Sequence, residues 1–361
     1  MFKRSMGMRW VWPVVVAGSA CAADEPKAVP AAGEGGGKPT AAVAPAAGVA
    51  VAAEERITWP DLLWLSNGSV RVGVSAEAGR VWAFERAVDG ESRQLLWHNT
   101  AAALANDREA DRYSNIGGDK VWPALQAMWA RFTPSGGGWP PDGTIDGEPW
   151  TVLEQSDRHV VLASRVNTHL GARVVRRVDL AGDGPQVRIT NRVERVAGSA
   201  LPLHVWTVSQ VHSPPVVLLD VAANQPPSEV NRWLDFGSRE KVKPFVTELE
   251  VDGAAAIAYR YDPKGARKIG TFGRWIAGVW DDVMWVQVGS YDPAGSYPDR
   301  SNVQVYSDGN YTELELLSPQ QHPQPGDAIE FTVTWVLLDR PADADTAALV
   351  RLAREAAAGV K

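Results

Sequence analysis

The chain of 361 residues contains a single cysteine, Cys21. One cysteine excludes an internal disulfide, and a chain of this length can bury a core large enough to be stable without one. The sequence also lacks a ligand run of the EF-hand type. Turn chemistry accounts for the aspartates at Asp281, Asp282, Asp292 and Asp299. We therefore expect no metal and no cofactor.

Long apolar runs and an excess of basic residues are also missing. No run reaches the roughly 20 apolar residues that a transmembrane helix needs. Basic residues number 36 against 43 acidic ones, for a net charge of −7. Nucleic-acid binding depends on cationic side chains, so this class of partner is not expected. The G-x-S-x-G motif, a fixed-period repeat and a βαβ alternation are absent, which argues against a serine hydrolase of that type, a propeller and a Rossmann fold.

The N-terminus has the pattern of a signal peptide. Lys3, Arg4 and Arg9 precede a short apolar run and then small residues, and we assign residues 1–22 to the signal. Cys21 sits where a bacterial lipoprotein carries its lipid, but "ACA" is also an ordinary cleavage site. The sequence therefore predicts a cell-envelope protein that is either lipid-anchored to the membrane through Cys21, or cleaved and periplasmic or secreted.

A tether and a single folded domain are expected after the signal. Residues 23–55 are mostly Ala, Pro, Gly and Val, and such a segment buries too little surface to offset its ordering entropy. We expect it to be disordered, and we expect one domain over residues 56–341. Residues 342–361 predict a helix with Asp343 or Asp345 as N-cap, packed on a sheet edge or left as a loose tail.

Alternation with a period of two runs through the domain. In "SVRVGV" the valines Val70, Val72 and Val74 share one face, which is typical of a strand with one buried side. More than ten such segments are separated by Gly, Pro, Asp and Asn. They predict an all-β fold, a large antiparallel sandwich, with two smaller sandwiches as the alternative. One internal helix is expected at Ala101–Arg108.

Two of the predicted strands carry polar side chains on one face. In "LHVWTVSQVH" that face holds His204, Trp206, Gln210 and His212, and in "YTELELLSP" it holds Tyr311, Glu313 and Glu315. Two carboxylates about 7 Å apart raise each other's pKa unless a positive group lies between them. Such a pair suits a general base or the binding of sugar hydroxyls. Half-buried histidines and a solvated strand face are the alternative.

Two glycine-rich stretches are candidate binding loops. "NIGGDKVWP", from Asn115 to Pro123, lacks the spacing of a phosphate-binding P-loop. Its glycines are expected to adopt positive φ and to allow close backbone approach. Asp119 and Lys120 are candidates for binding sugar hydroxyls, and Trp122 either anchors the loop or stacks on a ligand. "GGGWPPDG" presents Trp139, whose ring suits the apolar face of a sugar.

The order of these motifs resembles the galactose-mutarotase-like superfamily, which includes aldose 1-epimerases, hexose-phosphate mutarotases and non-enzymatic relatives. A Gly-Gly…Trp-Pro loop is followed by a His-bearing strand, a Glu-bearing strand, "QPGD" and the last strand "FTVTWVLL". "NIGGDKVWPA", "GGGWPPDG" and "NYTELELLSP" resemble an uncharacterised bacterial family of that superfamily. The resemblance implies a β-supersandwich with a sugar-sized groove across its concave sheet.

The resemblance also implies roles for individual residues. In the enzymes a histidine acid protonates the ring oxygen of the sugar and a glutamate base takes the proton of the anomeric hydroxyl. Carried over, His204 is the acid and Glu315 the base, with Glu313 as the alternative base. The implied carbohydrate-binding residues are Asn115, Asp119, Lys120, Trp122, Trp139, Trp206, Gln210, His212, Tyr311 and Glu313.

Three functions follow from these expectations. The first is a cell-envelope protein that binds a carbohydrate in the groove. The second is an active isomerase of the aldose 1-epimerase type. The third is a structural or interaction lipoprotein with a vestigial groove.

Overall fold

The computed structural model describes residues 62–88, 91–99, 115–131, 143–225, 232–297 and 299–360, and at residues 87, 88, 91 and 92 it describes the backbone alone. Residues Trp59–Lys361 form one compact unit. The predicted signal peptide with Cys21, the tether, the helix at Ala101–Arg108 and Trp139 lie outside the described residues.

The described residues contain twenty strands. The first ten are β1 (Leu62–Ser66), β2 (Val70–Ser75), β3 (Arg80–Val88), β4 (Glu91–Gln94), β5 (Asp119–Trp122), β6 (Thr151–Gln155), β7 (His159–Ala163), β8 (Ala172–Leu180), β9 (Gln186–Arg195) and β10 (Trp206–Val211). The others are β11 (Val216–Asp220), β12 (Leu234–Asp235), β13 (Val246–Val251), β14 (Ala254–Arg260), β15 (Arg267–Thr271), β16 (Trp275–Val279), β17 (Val283–Val288), β18 (Val303–Ser307), β19 (Thr312–Leu317) and β20 (Ala328–Asp339).

The helices are few and mostly short. The α-helices are α1 (Gly143–Asp146), α2 (Arg239–Val242) and α3 (Thr346–Gly359), and the 3₁₀ segments are η1 (Gln126–Arg131) and η2 (Lys243–Phe245). Within the described residues, no helix is both long enough and apolar enough to cross a membrane.

The strands form two ten-stranded antiparallel sheets. Sheet 1 has the order β1-β2-β3-β5-β10-β19-β18-β15-β12, and β4 pairs with β3. Sheet 2 has the order β13-β14-β11-β16-β17-β20-β9-β8-β7-β6. Phe84 of sheet 1 lies against Trp285 and Trp335 of sheet 2, with ring centroids 4.8 and 5.0 Å apart. The large antiparallel β-sandwich predicted from the period-two alternation is confirmed.

The C-terminal helix forms as predicted, but its packing differs from the prediction. Asp345 is the N-cap, and its side chain accepts a hydrogen bond from the Ala348 backbone N–H at 2.8 Å. α3 contacts the edge strand β13, as one of the two expectations held, but it also lies against β16 and β17 on the outer surface of sheet 2, and the expectation of a loose tail was wrong. Its buried stripe consists of Leu349, Val350, Ala353 and Ala357, and the two alanines allow a close approach to the sheet.

Candidate functional site

One surface of sheet 1 collects the polar residues of the candidate site. Strands β10 and β19 pair directly, with Gln210 opposite Glu313 and Val208 opposite Glu315. Opposed residues of an antiparallel pair point to the same side of a sheet. We call this surface the carboxylate face, and its members are Lys120, Trp122, Trp206, Gln210, Lys268, Gln304, Tyr306, Glu313 and Glu315. The other side of sheet 1 faces sheet 2.

Glu315 is held at the centre of the carboxylate face. Its side chain is fully buried, and its Oε2 accepts hydrogen bonds from Trp206 Nε1 at 2.7 Å and from Lys268 Nζ at 2.8 Å. The Lys268 ammonium also lies 4.8 Å from the centre of the Trp206 ring. Glu315 and Glu313 lie on the same side of β19, as the alternation of "YTELELLSP" predicted, whereas the cation beside Glu315, Lys268, was not predicted.

Glu313 differs from Glu315 in its partners. It is half-buried, and its Oε1 accepts a hydrogen bond from Gln210 Nε2 at 2.9 Å. Burial and the neighbouring Glu315 carboxylate raise the pKa of Glu313 to about 7, against the opposing effects of Lys120 and Lys268. Near neutral pH this carboxyl group can therefore both accept and return a proton.

The raised pKa predicts a loss of stability with rising pH. Between pH 4.5, the ordinary pKa of a glutamate, and about 7, folded Glu313 keeps a proton that the unfolded chain has released. Stability from this group is present below pH 4.5 and is lost as pH rises through 7. We expect the urea midpoint of the wild type to fall relative to Glu313→Gln across this window. A midpoint difference that stays constant with pH would contradict the raised pKa.

Three buried acceptor oxygens on the carboxylate face lack a hydrogen-bond partner among the described residues. They are Oε1 of Gln210, of Gln304 and of Glu315, and all three residues are almost completely buried. Gln304 lies directly opposite Glu315 in the β18–β19 pairing. A buried acceptor without a donor costs about 1–3 kcal/mol. Each of these oxygens keeps the capacity to accept a hydrogen bond from an O–H or N–H donor.

The "NIGGDKVWP" segment brings β5 to this face. Gly117 and Gly118 have φ of +95° and +79°, and a Cβ on Gly117 would lie 2.1 Å from the Trp97 carbonyl oxygen. The prediction that these glycines serve positive φ and close backbone approach is confirmed. The strand that begins at Asp119 was not predicted, because the segment was interpreted as a loop.

Replacing Gly117 by alanine should therefore destabilise the protein by about 2–4 kcal/mol, from backbone strain and overpacking. Gly182 is the matched control, since nothing lies within 4 Å of a Cβ built there and its φ is ordinary. Gly182→Ala should change stability by no more than about 0.5 kcal/mol. Urea denaturation measures both, and equal effects of the two substitutions would show that the contact with Trp97 is unimportant.

Asp146 at the end of α1 fixes two members of the carboxylate face. Its Oδ2 accepts a hydrogen bond from Trp122 Nε1 at 2.9 Å and lies 4.0 Å from Lys120 Nζ. Its Oδ1 is paired with the buried Arg80 guanidinium, which also donates to the Gly117 carbonyl at 2.6 Å. Neither Asp146 nor Arg80 was singled out in the sequence, since both lie far along the chain from the residues that they hold.

Asp119 points to the opposite side of sheet 1 from Lys120. Its carboxylate is buried between the sheets, where it is paired with Arg176 of β8 and accepts a hydrogen bond from Ser209 Oγ at 2.6 Å. Gln287 of sheet 2 donates to the same Ser209 hydroxyl at 2.9 Å. The structure therefore places Asp119 in the core, apart from the other predicted binding residues.

His204 lies before β10 and is not brought next to the carboxylates. Val208 is opposite Glu315, so His204 is displaced by four residues, about 13 Å along the strand. Trp206 lies between them and bonds to Glu315. Burial lowers the pKa of His204 to about 4, so its ring is neutral at pH 7. Its Nε2 has no hydrogen-bond partner among the described residues.

The remaining predicted residues lie around the ends of the face. Trp122 and Trp206 are buried and meet edge to face, with centroids 4.8 Å apart, so they anchor this end. Tyr311 is half-buried next to Glu313, and His212 follows β10, where its backbone N–H donates to the Leu95 carbonyl at 3.1 Å. Asn115 lies at the start of the glycine segment.

Across the ranges that the structure describes, no group of three or more His, Cys, Asp or Glu side chains is arranged to hold a metal ion. On the carboxylate face the two acids are paired with a lysine, an indole and an amide.

Comparison with known proteins identifies the fold. No family model matches the chain, and no curated protein matches it in sequence. Among solved structures it is similar to a provisionally assigned aldose 1-epimerase of Escherichia coli K12, with 13% identity, a TM-score of 0.51, and coverage of 78% of this chain and 99% of that one. It is also similar to a galactose-mutarotase-related enzyme of Lactobacillus acidophilus, with 9% identity, a TM-score of 0.49, and coverage of 78% and 98%.

The chain thus has the galactose-mutarotase-like fold that its sequence motifs predicted. At this level of identity the likeness shows the fold alone, and function has to be argued from the site.

Proposed function

We propose that this chain is a carbohydrate-binding protein of the bacterial cell envelope, with the sugar bound on the carboxylate face beside Gln210, Glu313 and Glu315. The observation that carries the proposal is the set of three buried acceptor oxygens without partners among the described residues. Each sugar hydroxyl supplies one O–H donor, so a single sugar can satisfy several of these acceptors at once.

The charge of the carboxylate face supports a neutral polyhydroxyl ligand. Lys268 is already paired with Glu315, and Lys120 lies 4.0 Å from the Asp146 carboxylate. The face therefore offers hydrogen-bonding groups with little net charge. The Escherichia coli protein of this fold is named for a reaction of aldoses, which favours a sugar over other polyols.

The envelope location rests on the basic start, the short apolar run and Cys21. Fractionation of cells that make the tagged full chain tests it. Recovery in the membrane or periplasmic fraction is expected, and recovery of the unprocessed chain in the cytoplasm would contradict it.

A glycan library tests the binding function. The full chain is applied to immobilised mono- and oligosaccharides, and binding is competed with the same free sugar. We expect at least one sugar class to bind in a competable manner. Absence of binding to every neutral sugar in the library would contradict the proposal.

The acid–base character of Glu313 favours a second candidate, an epimerase of the aldose 1-epimerase type with Glu313 as the base. A carboxyl group with a pKa of about 7 is suited to general-base catalysis at neutral pH. Polarimetry with freshly dissolved anomers of free aldoses tests it. Catalysed mutarotation that Glu313→Gln abolishes would support this candidate, and a rate equal to that of buffer alone would exclude it for those sugars.

A further inference from the structure

We infer that the carbohydrate is an oligosaccharide, with one ring at Glu313 and Glu315 and the next ring on an aromatic shelf formed by Trp97, Tyr306 and Tyr311. This inference rests on the proposed function and specifies its ligand class. It concerns the length of the sugar and the position of a second subsite.

The three side chains of the shelf form one aromatic cluster. The ring centroids of Trp97 and Tyr311 are 4.6 Å apart, and those of Tyr306 and Tyr311 are 6.1 Å apart. All three residues are half-buried. Trp122 and Trp206 at the other end of the carboxylate face are buried and serve as packing.

The shelf adjoins the carboxylates directly. Tyr306 is opposite Glu313 in the β18–β19 pairing, and Tyr311 precedes Glu313 by two residues. The Trp97 backbone N–H donates to the Gln210 carbonyl at 2.8 Å, which fixes Trp97 beside the same strand. Neighbouring strands lie about 4.8 Å apart, and two residues along a strand span about 6.6 Å. The shelf therefore begins no farther from Glu313 than the length of one sugar residue.

The chemistry of the shelf matches a sugar ring. Aromatic planes cover the apolar C–H faces of sugars, while polar groups at their edge fix the orientation of the hydroxyls. Asp308 supplies such a group, since its Oδ2 accepts from the Tyr306 hydroxyl at 3.4 Å. A monosaccharide held at the carboxylates would leave this half-exposed surface uncovered.

A chain-length series tests the inference on the full-length protein. The probes are gluco- and galacto-oligosaccharides of one to four residues, and isothermal titration gives each affinity. For the wild type we expect at least a tenfold gain from the monosaccharide to the best longer sugar. Trp97→Ala should remove this gain and leave the monosaccharide affinity unchanged.

Trp64 provides the matched control. Trp64 is 39% exposed and lies on the edge strand β1 against Arg71, away from the carboxylate face. Trp64→Ala should leave every affinity unchanged. Tyr306→Leu is the second shelf variant and should remove the same gain if Trp97→Ala does not fold, as judged by thermal unfolding.

The possible results distinguish a failure of the shelf proposal from a failure of the proposed carbohydrate-binding function. Equal affinities for all chain lengths, or a gain that survives both shelf variants, would overturn the shelf and leave the proposed binding function standing. Failure of every probe to bind, monosaccharides included, would overturn both.

Discussion

Replacing Arg176 by alanine is expected to lower the free energy of unfolding by about 3–5 kcal/mol. The Arg176 and Asp119 side chains are each 1% exposed, and the guanidinium pairs with the carboxylate and donates to the Asp119 carbonyl at 2.9 Å. Without Arg176 the carboxylate stays buried with the Ser209 hydroxyl as its neighbour. An uncompensated buried charge of this kind is among the largest single destabilising effects in a protein.

Arg177 is the control for this prediction because it is next in the chain and points to the other side of β8. Its side chain is 40% exposed and pairs with Asp179 and Glu154 at the surface. Exposed pairs contribute about 0–1 kcal/mol, so Arg177→Ala should have a small effect. Chemical denaturation measures both variants, and a loss for Arg176→Ala no larger than that for Arg177→Ala would show that the buried pair is unimportant.

Glu315→Gln is expected to weaken carbohydrate binding by about 10- to 150-fold. Hydrogen bonds that involve a charged group contribute about 1.5–3 kcal/mol, and about 1.4 kcal/mol corresponds to a factor of ten in affinity. The substitution also removes the counter-charge of Lys268, which bonds to Glu315 at 2.8 Å. The volume of the side chain is nearly unchanged, so a loss of affinity reports on charge and hydrogen bonding.

Glu330 on β20 is the matched control for Glu315. It is an exposed glutamate in a strand of sheet 2, and Glu330→Gln should leave the affinity unchanged. Titration with the best sugar from the glycan library gives the affinities, and thermal unfolding confirms that both variants are folded. Equal affinities of wild type and Glu315→Gln would exclude Glu315 from the site.

The alternation of apolar residues was sufficient to predict the sandwich. In β9, Val187, Ile189 and Val193 face the core, as the period of two indicated, because side chains alternate across a strand. Strands such as β5 and β15 were missed. They are short and lie next to glycines, where alternation gives a weak signal.

The site depended on the pairing of β10 with the Glu-bearing strand β19, which is confirmed, and on His204 lying beside the carboxylates, which the structure does not show because His204 precedes β10. The cation beside Glu315 was not predicted. Lys268 lies on β15, which is separated from β19 in sheet 1 by β18, and the local sequence pattern does not reveal this strand order. The position of Asp119 was also unpredictable. Two glycines with positive φ precede it, and the side of the sheet that it faces depends on their conformation.

The most direct test of the central claim is a crystal structure of the full chain with the best sugar from the glycan library. The account predicts density for a sugar on the carboxylate face of sheet 1, with hydroxyls within hydrogen-bond distance of Gln210, Glu313 and Glu315. Sugar density bound elsewhere, with these three side chains bonded only to water or to other residues of the chain, would contradict it.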